Sequence, residues 1–232
     1  MSSSKKQELL LSCRSSIRGL YEALRDGREA TWLGAEQTMK ALTELDGSEA
    51  QNYLELLERW SRTQRLTGWR TSSERLRLGL MPSWAGAALI APTETWVDLG
   101  SGAGLPGMAF AMLRTGRSGY LVEARRKRVS FLNEARRKLG SKHIEIKHGR
   151  IEAGSQLPEP FDKAVLLARA FAKPRRLLEL ADTLERPAVV AWLGEADSDS
   201  FSDGAPAPWT LSAKIEGEVY GAPGAILRFD RR

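Results

Sequence analysis

A glycine-rich turn is the part of this sequence whose residue types and spacing point most directly to chemistry. It covers residues 98–104, reads DLGSGAG, and follows a short apolar run that predicts a β-strand. Glycines adopt positive φ angles and let the backbone approach a ligand closely. A helical pattern follows the turn, and the free N–H groups at a helix N-terminus favour an anionic ligand group. The arrangement predicts a binding site for a nucleotide-like cofactor.

Two carboxylates narrow the identity of that cofactor. Glu123 ends the next predicted strand, 25 residues after Asp98, and an acid at about this distance accepts hydrogen bonds from ribose hydroxyls. Asp98 precedes the glycines, where it would repel the pyrophosphate of a dinucleotide but can support a cationic amino-acid group. We therefore expect S-adenosylmethionine, bound by a set of residues that includes Asp98, Gly100, Gly102, Gly104 and Glu123.

The sequence predicts no proton-transfer residue, no metal site and no membrane span. The two histidines, His143 and His148, flank the third predicted strand and are expected to be packing or surface residues. We see no cluster with metal-ligand spacing and expect no metal. The single cysteine, Cys13, allows no intrachain disulfide and favours a reducing compartment. No apolar run reaches the roughly 20 residues of a membrane helix. We expect a cytoplasmic, monomeric protein.

The elements that must position the turn follow from hydrophobic periodicity. Residues 5–60 carry apolar side chains at spacings of three and four, which predicts helices, and no strand pattern occurs before residue 93. From residue 95 onward, short apolar runs alternate with helical patterns. Seven strands are expected, over residues 95–99, 119–123, 144–146, 161–168, 188–193, 209–215 and 225–229.

Strand–helix alternation followed by a terminal hairpin predicts an α/β fold. It is a doubly wound, mostly parallel seven-stranded sheet with one antiparallel edge. We divide the chain into a helical N-terminal extension, residues 1–92, packed on a cofactor-binding domain, residues 93–232. Residues 195–208 are rich in Asp, Ser, Gly and Pro and are expected to form an exposed loop.

The distribution of charge suggests an anionic partner. The net charge is +6, and basic side chains concentrate after the second predicted strand, where they can bind phosphates. A solvated helix face is the alternative explanation. The expected RNA-binding residues are Arg125, Arg126, Lys127, Arg128, Arg136 and Arg137. Trp60, Trp69 and Trp84 precede the first strand, and we expect core packing for each, with stacking on a base as the alternative.

Four ordered motifs resemble one known family, the bacterial 16S rRNA guanine-N7 methyltransferases, also called the glucose-inhibited division protein B family. They are VDLGSGAGLPG at residues 97–107, KRVSFL at 127–132, GRIE at 149–152 and ARAFA at 168–172. The Leu-Pro-Gly extension of the first motif is more particular than the generic methyltransferase turn. The resemblance covers about residues 53–193 and implies a class I, Rossmann-like methyltransferase acting on ribosomal RNA or the small ribosomal subunit.

The resemblance also implies roles for individual residues. Gly100 and Leu105 should contact S-adenosylmethionine, and Glu123 should face its ribose. Ile151 and Glu152 should line the adenine. Arg169 should lie near both the cofactor and the target base, where we expect it to act in positioning. Guanine N7 has a lone pair and no proton to remove, so we nominate no general base.

Two departures from the family pattern concern the side of the site that would face the substrate. The family's H-I-x-D-S segment corresponds to residues 79–83, GLMPS, which lack the His and the Asp. Leu193 stands before Gly194 where the family tends to have a lysine. We expect N7 methylation of a guanine in 16S rRNA. The alternatives are methylation of another RNA or a small molecule, or a non-catalytic RNA-binding paralogue.

Overall fold

The computed structural model describes residues 3–202 and 204–232, and its N-terminal part is helical. Three helices come first: α1 (Ser3–Asp26), α2 (Ala35–Glu44) and α3 (Ser48–Ser61). Each buries one stripe of apolar side chains, and in α1 the stripe is Leu9, Cys13, Ile17, Leu20 and Leu24. The spacing of three and four in the sequence therefore predicts the buried face correctly.

A short helical run leads from these helices into the sheet. It consists of α4 (Ser72–Arg75), a π-helical turn (Leu76–Leu80), α5 (Met81–Gly86) and a 3₁₀ turn (Ala87–Leu89). Thr71 begins it with a capping box: its hydroxyl accepts the Glu74 N–H at 3.1 Å, and the Glu74 carboxylate accepts the Thr71 N–H at 3.0 Å. A π turn inside a helix is rare and is often found at a functional site.

The remainder of the chain forms a seven-stranded sheet with flanking helices. Its elements are β1 (Trp96–Leu99), α6 (Gly107–Met112), β2 (Gly119–Glu123), α7 (Arg126–Leu139), β3 (Ile144–His148), β4 (Val165–Arg169), α8 (Pro174–Thr183), β5 (Ala188–Leu193), α9 (Glu195–Asp199), β6 (Trp209–Glu216), α10 (Gly217–Tyr220) and β7 (Ala225–Arg231). The spatial order is β3-β2-β1-β4-β5-β7-β6. The first five strands are parallel, and β7 pairs antiparallel with both β5 and β6. The predicted mostly parallel sheet with an antiparallel edge is confirmed.

Alternation along the strands divides the apolar residues between two layers. In β1, Trp96 joins the core beneath the N-terminal helices, α6 and α7, whereas Val97 and Leu99 join the core beneath α8. Successive strand residues point to opposite faces, so a strand buried on both sides is apolar throughout. The first core runs continuously from α1 to the sheet across the predicted boundary at residues 92 and 93. The division into two domains stays a prediction.

Two local expectations are wrong. Residues 195–208 do not form only an exposed loop, because α9 occupies residues 195–199 and Phe201 is buried with its ring centroid 4.8 Å from that of Phe229. The fourth strand begins at Val165 rather than at residue 161. Phe161 is buried in a turn ahead of it and stacks on Tyr120 at 5.0 Å. A short apolar run shows that residues are buried but does not identify a strand.

No helix within the described ranges is long and apolar enough to cross a membrane.

Candidate active site

The glycine turn, residues 98–104, leaves β1 at the carboxyl edge of the sheet. Gly100, Gly102 and Gly104 have φ angles of +65°, +56° and +83°. A Cβ atom on Gly100 would lie 2.9 Å from the Phe171 ring, and one on Gly104 would lie 2.5 Å from Met108. Both the backbone conformation and the lack of space therefore require glycine at positions 100 and 104.

Asp98 ties the two ends of this turn together from beneath. Its carboxylate is 1 % exposed and accepts the Gly107 N–H at 3.0 Å, while the Ser101 hydroxyl donates to its carbonyl at 2.9 Å. A Cβ on Gly107 would lie 2.7 Å from the carboxylate, which explains the glycine of the Leu-Pro-Gly extension. Burial raises the pKa of Asp98 to about 7, although the Gly107 N–H and the charge of Arg169 oppose the shift. A bound cation would favour the ionised form.

Glu123 ends β2 beside the turn and is also buried. Its carboxylate accepts the N–H of Gly102 and the N–H of Arg125, both at 2.8 Å, and lies 3.8 Å from the Arg128 guanidinium. A carboxylate offers about four lone-pair sites. Glu123 therefore orders the turn and keeps capacity to accept a further hydrogen bond from a ligand hydroxyl.

A cavity of about 650 Å³ is connected to the turn through the side chain of Phe171. Ile151 and Glu152 line it together with Phe171, the side chain that also covers Gly100. Glu152 lies in a loop rather than in a first helical turn, and its N–H donates to the Ser155 hydroxyl at 2.9 Å. The volume is within the range of small-ligand pockets.

Arg169 ends β4 and is anchored to the helical run of residues 76–83. Its guanidinium donates to the Gly79 carbonyl at 2.9 Å, to the Ser83 hydroxyl at 3.2 Å and to the carbonyl of Leu78. It also lies 5.1 Å from the centroid of the Trp69 ring. Burial lowers the pKa of Arg169 to about 10, so the side chain stays cationic at neutral pH. Arg169 is thus not a freely solvated surface residue.

The segment that lacks the family's His and Asp, residues 79–83, lies directly opposite the turn. A Cβ atom on Gly79 would lie 3.0 Å from Leu105 and 3.0 Å from the Trp69 ring. The space into which a histidine at position 79 would extend is therefore filled. Pro82, in place of the Asp, is buried, and its carbonyl accepts the Trp192 indole N–H at 2.8 Å.

A contact between α3 and the glycine turn was not predicted from the sequence. Tyr53 is 1 % exposed, and its hydroxyl donates to the carbonyl of Ala103. Tyr53 belongs to an otherwise aliphatic stripe on α3. A buried tyrosine hydroxyl needs a partner, so its presence on that stripe was the available signal.

The six basic residues that we expected to bind RNA fall into three environments. Arg125, Arg126 and Lys127 are exposed at the start of α7, and Arg137 is exposed near its end. Arg128 instead lies beside the glycine turn, with its Nη1 atom 3.6 Å from the Cβ position of Gly102. The remaining residue, Arg136, is half-buried.

Two side-chain contacts place other elements beside the basic helix α7. The Arg136 Nη1 group donates to the Ile144 carbonyl at 3.1 Å and fastens α7 to β3. Gln64 donates to the Lys127 carbonyl at 3.4 Å. Arg62 and Arg65, two further exposed basic residues outside the predicted RNA-binding set, lie within two residues of Gln64 in the sequence.

The two histidines lie outside this arrangement. The ring of His148 is 3.0 Å from the Ala124 carbonyl, and burial lowers the pKa of His143. Neither residue lines the cavity beside the turn. Within the described part of the chain, no group of three or more His, Cys, Asp or Glu side chains is placed to hold a metal ion.

Comparison with protein families matches residues 46–206 to the model of rRNA small subunit methyltransferase G. Proteins named ribosomal RNA small subunit methyltransferase G are similar to this chain. The one from Hydrogenovibrio crunogenus is 34% identical over 149 residues, 64% of this chain and 67% of that protein. The one from Xanthomonas oryzae is 33% identical over 174 residues, 74% and 80% of the two chains. The match to the Dichelobacter nodosus protein, 36% identical, spans only 48% of its length.

Solved structures of low sequence identity share the fold. A protein of the NADB-Rossmann superfamily from Streptococcus agalactiae superposes with a TM-score of 0.51 at 13% identity, over 65% of this chain and 67% of that one. An uncharacterised protein from Listeria monocytogenes gives a TM-score of 0.50 at 12% identity, over 65% and 66%. These similarities support the Rossmann-like sheet and carry no further conclusion.

Proposed function

Because this chain belongs to the rRNA small subunit methyltransferase G family, we propose that it transfers a methyl group from S-adenosylmethionine to N7 of a guanine in 16S rRNA. One observation carries the proposal. The glycine turn and the Glu123 carboxylate meet at the carboxyl edge of the parallel strands, and Phe171 connects the turn to the cavity lined by Ile151 and Glu152. Ligands of open α/β sheets bind at this edge.

The residues present fit S-adenosylmethionine. Asp98 would favour the cationic amino-acid end, and its own ionisation would be favoured in turn. Glu123 would accept hydrogen bonds from the ribose hydroxyls. The cavity beside Phe171 would receive the adenine, with Ile151 and Glu152 along its wall. When bound, the cofactor supplies a methyl group activated by its sulfonium.

Methylation of guanine N7 requires no general base from the protein. Guanine N7 attacks with a lone pair and has no proton to lose, so the chain contributes position and electrostatics rather than a base. Arg169 is the positioning residue in this scheme. It stays protonated at neutral pH and holds residues 78–83 through the carbonyls of Leu78 and Gly79.

We assign the RNA backbone to the exposed basic side chains of Arg62, Arg65, Arg125, Arg126 and Lys127. Basic residues in the first turn of a helix oppose the helix dipole, at a cost of about 0.3–1 kcal/mol each. The position of Arg125, Arg126 and Lys127 at the start of α7 therefore does not stabilise the helix. Phosphate contacts of this kind weaken steeply as the salt concentration rises. A ribosomal RNA substrate also supports the expected cytoplasmic location.

Two measurements test the proposed function. Calorimetry with S-adenosylmethionine should give saturable binding, and mapping of 7-methylguanosine in 16S rRNA should show one site that disappears when the gene is deleted and returns on complementation. Absence of binding at near-millimolar cofactor would leave a non-catalytic RNA-binding protein. Cofactor binding with an unchanged 16S rRNA pattern would move the substrate to another RNA or a small molecule.

A further inference from the structure

Trp69 is an indole placed beside the cofactor turn that the proposed mechanism does not yet use. We propose that Trp69 is the surface on which the target guanine stacks, and that residue 79 is glycine because a larger side chain would displace this ring. The inference rests on the proposed function, since it names the residue that receives the base.

Trp69 lies close to the end of the glycine turn. The Cβ position of Gly79 lies 3.0 Å from the Trp69 ring and 3.0 Å from Leu105, at the end of the glycine turn. The indole is therefore one residue removed from the expected cofactor pocket. Arg169, which lies against the ring, ends β4 at the carboxyl edge of the sheet. A base resting on Trp69 would lie where a methyl acceptor must be.

Arg169 holds the Trp69 ring rigidly. The Arg169 guanidinium lies 5.1 Å from the ring centroid and is itself fixed by acceptors on Leu78, Gly79 and Ser83. A cation over an aromatic face stabilises the pair. The ring is thus held in one orientation before any ligand arrives. Fixed aromatic rings are the usual partners of unstacked bases in RNA-binding sites.

Trp69 differs from Trp60, the other half-buried tryptophan, in how its ring and its indole N–H are used. Trp60 packs edge-on against Phe131 and donates its indole N–H to Glu134 at 2.8 Å, so both its ring and its polar atom are used within the fold. Trp69 is likewise half-buried, yet its indole N–H donates to no residue in the described part of the chain. Trp69 thus remains partly exposed, and its indole N–H has no acceptor among the described residues.

The position of Trp69 also explains the glycine at position 79, in the segment that differs from the family pattern. A side chain at position 79 would enter the space shared by the Trp69 ring and Leu105. Glycine at position 79 and tryptophan at position 69 are thus sterically linked. In this account, residues 79–83 have not lost a base-recognition element, because the indole supplies one from the preceding loop.

The experiment compares Trp69→Ala and Trp69→Phe with wild type, with Trp60→Phe as the matched control. The substrate is small ribosomal subunits from a strain that lacks this methyltransferase, and the readouts are kcat, KM and the dissociation constant of S-adenosylmethionine. Stacking on an aromatic side chain predicts a loss of about 10- to 100-fold in kcat/KM for Trp69→Ala. Trp69→Phe should recover most of that loss. All variants, including Trp60→Phe, should bind the cofactor as wild type does.

A second comparison separates stacking from a structural role. Gly79→Leu should lower kcat/KM in the wild-type background but cause little further loss in the Trp69→Ala background, because both changes remove the same surface. Wild-type kcat/KM in Trp69→Ala would overturn the inference. So would a parallel loss of cofactor affinity and thermal stability, or no recovery by phenylalanine. A wild-type protein that methylates no subunit would instead refute the proposed function, and the inference with it.

Discussion

The two sides of the active site are built in different ways. The cofactor side consists of residues 98–107 and Glu123, and it is held by contacts of short sequence separation, such as Gly107 to Asp98 and Gly102 to Glu123. The acceptor side consists of residues 69–83 and Arg169, and its contacts join residues about 90 positions apart. A local motif thus fixes the cofactor side, whereas the acceptor side depends on how distant segments pack.

The contrast explains which part follows the family pattern. On the cofactor side, local contacts require glycine at two positions: a Cβ on Gly107 would lie 2.7 Å from the Asp98 carboxylate, and one on Gly104 would lie 2.5 Å from Met108. On the acceptor side, a change at Gly79 is matched by the ring of Trp69. A surface assembled from separate segments can exchange one side chain for another while the cofactor turn stays constant.

The largest expected effect concerns the cofactor side. Gly100→Asp should lower affinity for S-adenosylmethionine by about 100-fold or more, because its Cβ would lie 2.9 Å from the Phe171 ring at a φ of +65°. Isothermal titration calorimetry measures the change. Gly140→Asp is the matched control, since Gly140 also has a φ of +65° but no neighbour within 4 Å. Wild-type affinity in Gly100→Asp would contradict the assignment of the glycine turn to cofactor binding.

Glu123→Gln should lower cofactor affinity by about 10- to 50-fold. The amide keeps one acceptor oxygen and loses the charge that strengthens hydrogen bonds from Gly102 and Arg125 and from the ribose. Titration of the purified variant gives the dissociation constant. Glu145→Gln, an exposed position on neighbouring β3, should change nothing. Equal effects of the two substitutions would show that Glu123 acts only through general charge.

Cofactor affinity should depend on pH through Asp98, because burial raises the pKa of this residue from its ordinary value of 3.8 to about 7. Below pH 7 a cation can bind beside Asp98 only after its proton leaves, so cofactor affinity should fall by up to about tenfold per pH unit. Titrations from about pH 7.5 down to about pH 5.5 measure the slope. Asp98→Asn should show weaker affinity with no such slope, and a slope that persists in this variant would assign the titration to another group.

The raised pKa of Asp98 affects the stability of the ligand-free protein in the opposite direction: cofactor affinity falls as the pH falls, whereas stability falls as the pH rises. The folded state binds the Asp98 proton more tightly than the unfolded state does. Its contribution to stability is therefore present below pH 3.8 and is lost as the pH rises to about 7. Denaturation at several pH values should show this loss in wild type and not in Asp98→Asn.

The smallest effect lies at the junction between the helices and the turn. Tyr53→Phe leaves the buried Ala103 carbonyl without the hydroxyl that donates to it, which should lower the free energy of unfolding by about 1–2 kcal/mol. Urea denaturation measures this change, and cofactor affinity should fall by only a few-fold. Tyr21→Phe, at a half-buried position on α1, is the control. A large loss of affinity would mean that the cofactor side also depends on long-range packing.

Several features of the fold could be predicted because they depend on neighbours in sequence. The stripe of Leu9, Cys13 and Ile17 has helical spacing, and the apolar strands alternate between two cores. Phe161 was assigned to a strand and Phe201 to an exposed loop, whereas both are buried in turns, which give no periodic pattern. The proximity of Arg128 to Glu123, at 3.8 Å, could not be predicted, because helix spacing does not say which face of α7 meets the end of β2; RNA binding by Arg128 stays a prediction.

What the sequence determined by itself is the cofactor turn, since positive φ angles at Gly100, Gly102 and Gly104 and the nearby Asp98 are local properties of one strand–helix connection. Tertiary structure alone decided the acceptor side. Trp69, Gly79 and Arg169 meet only because the chain folds residues 69–83 over the end of β4. Close packing sets that contact, and the spacing of residues along the chain does not record it.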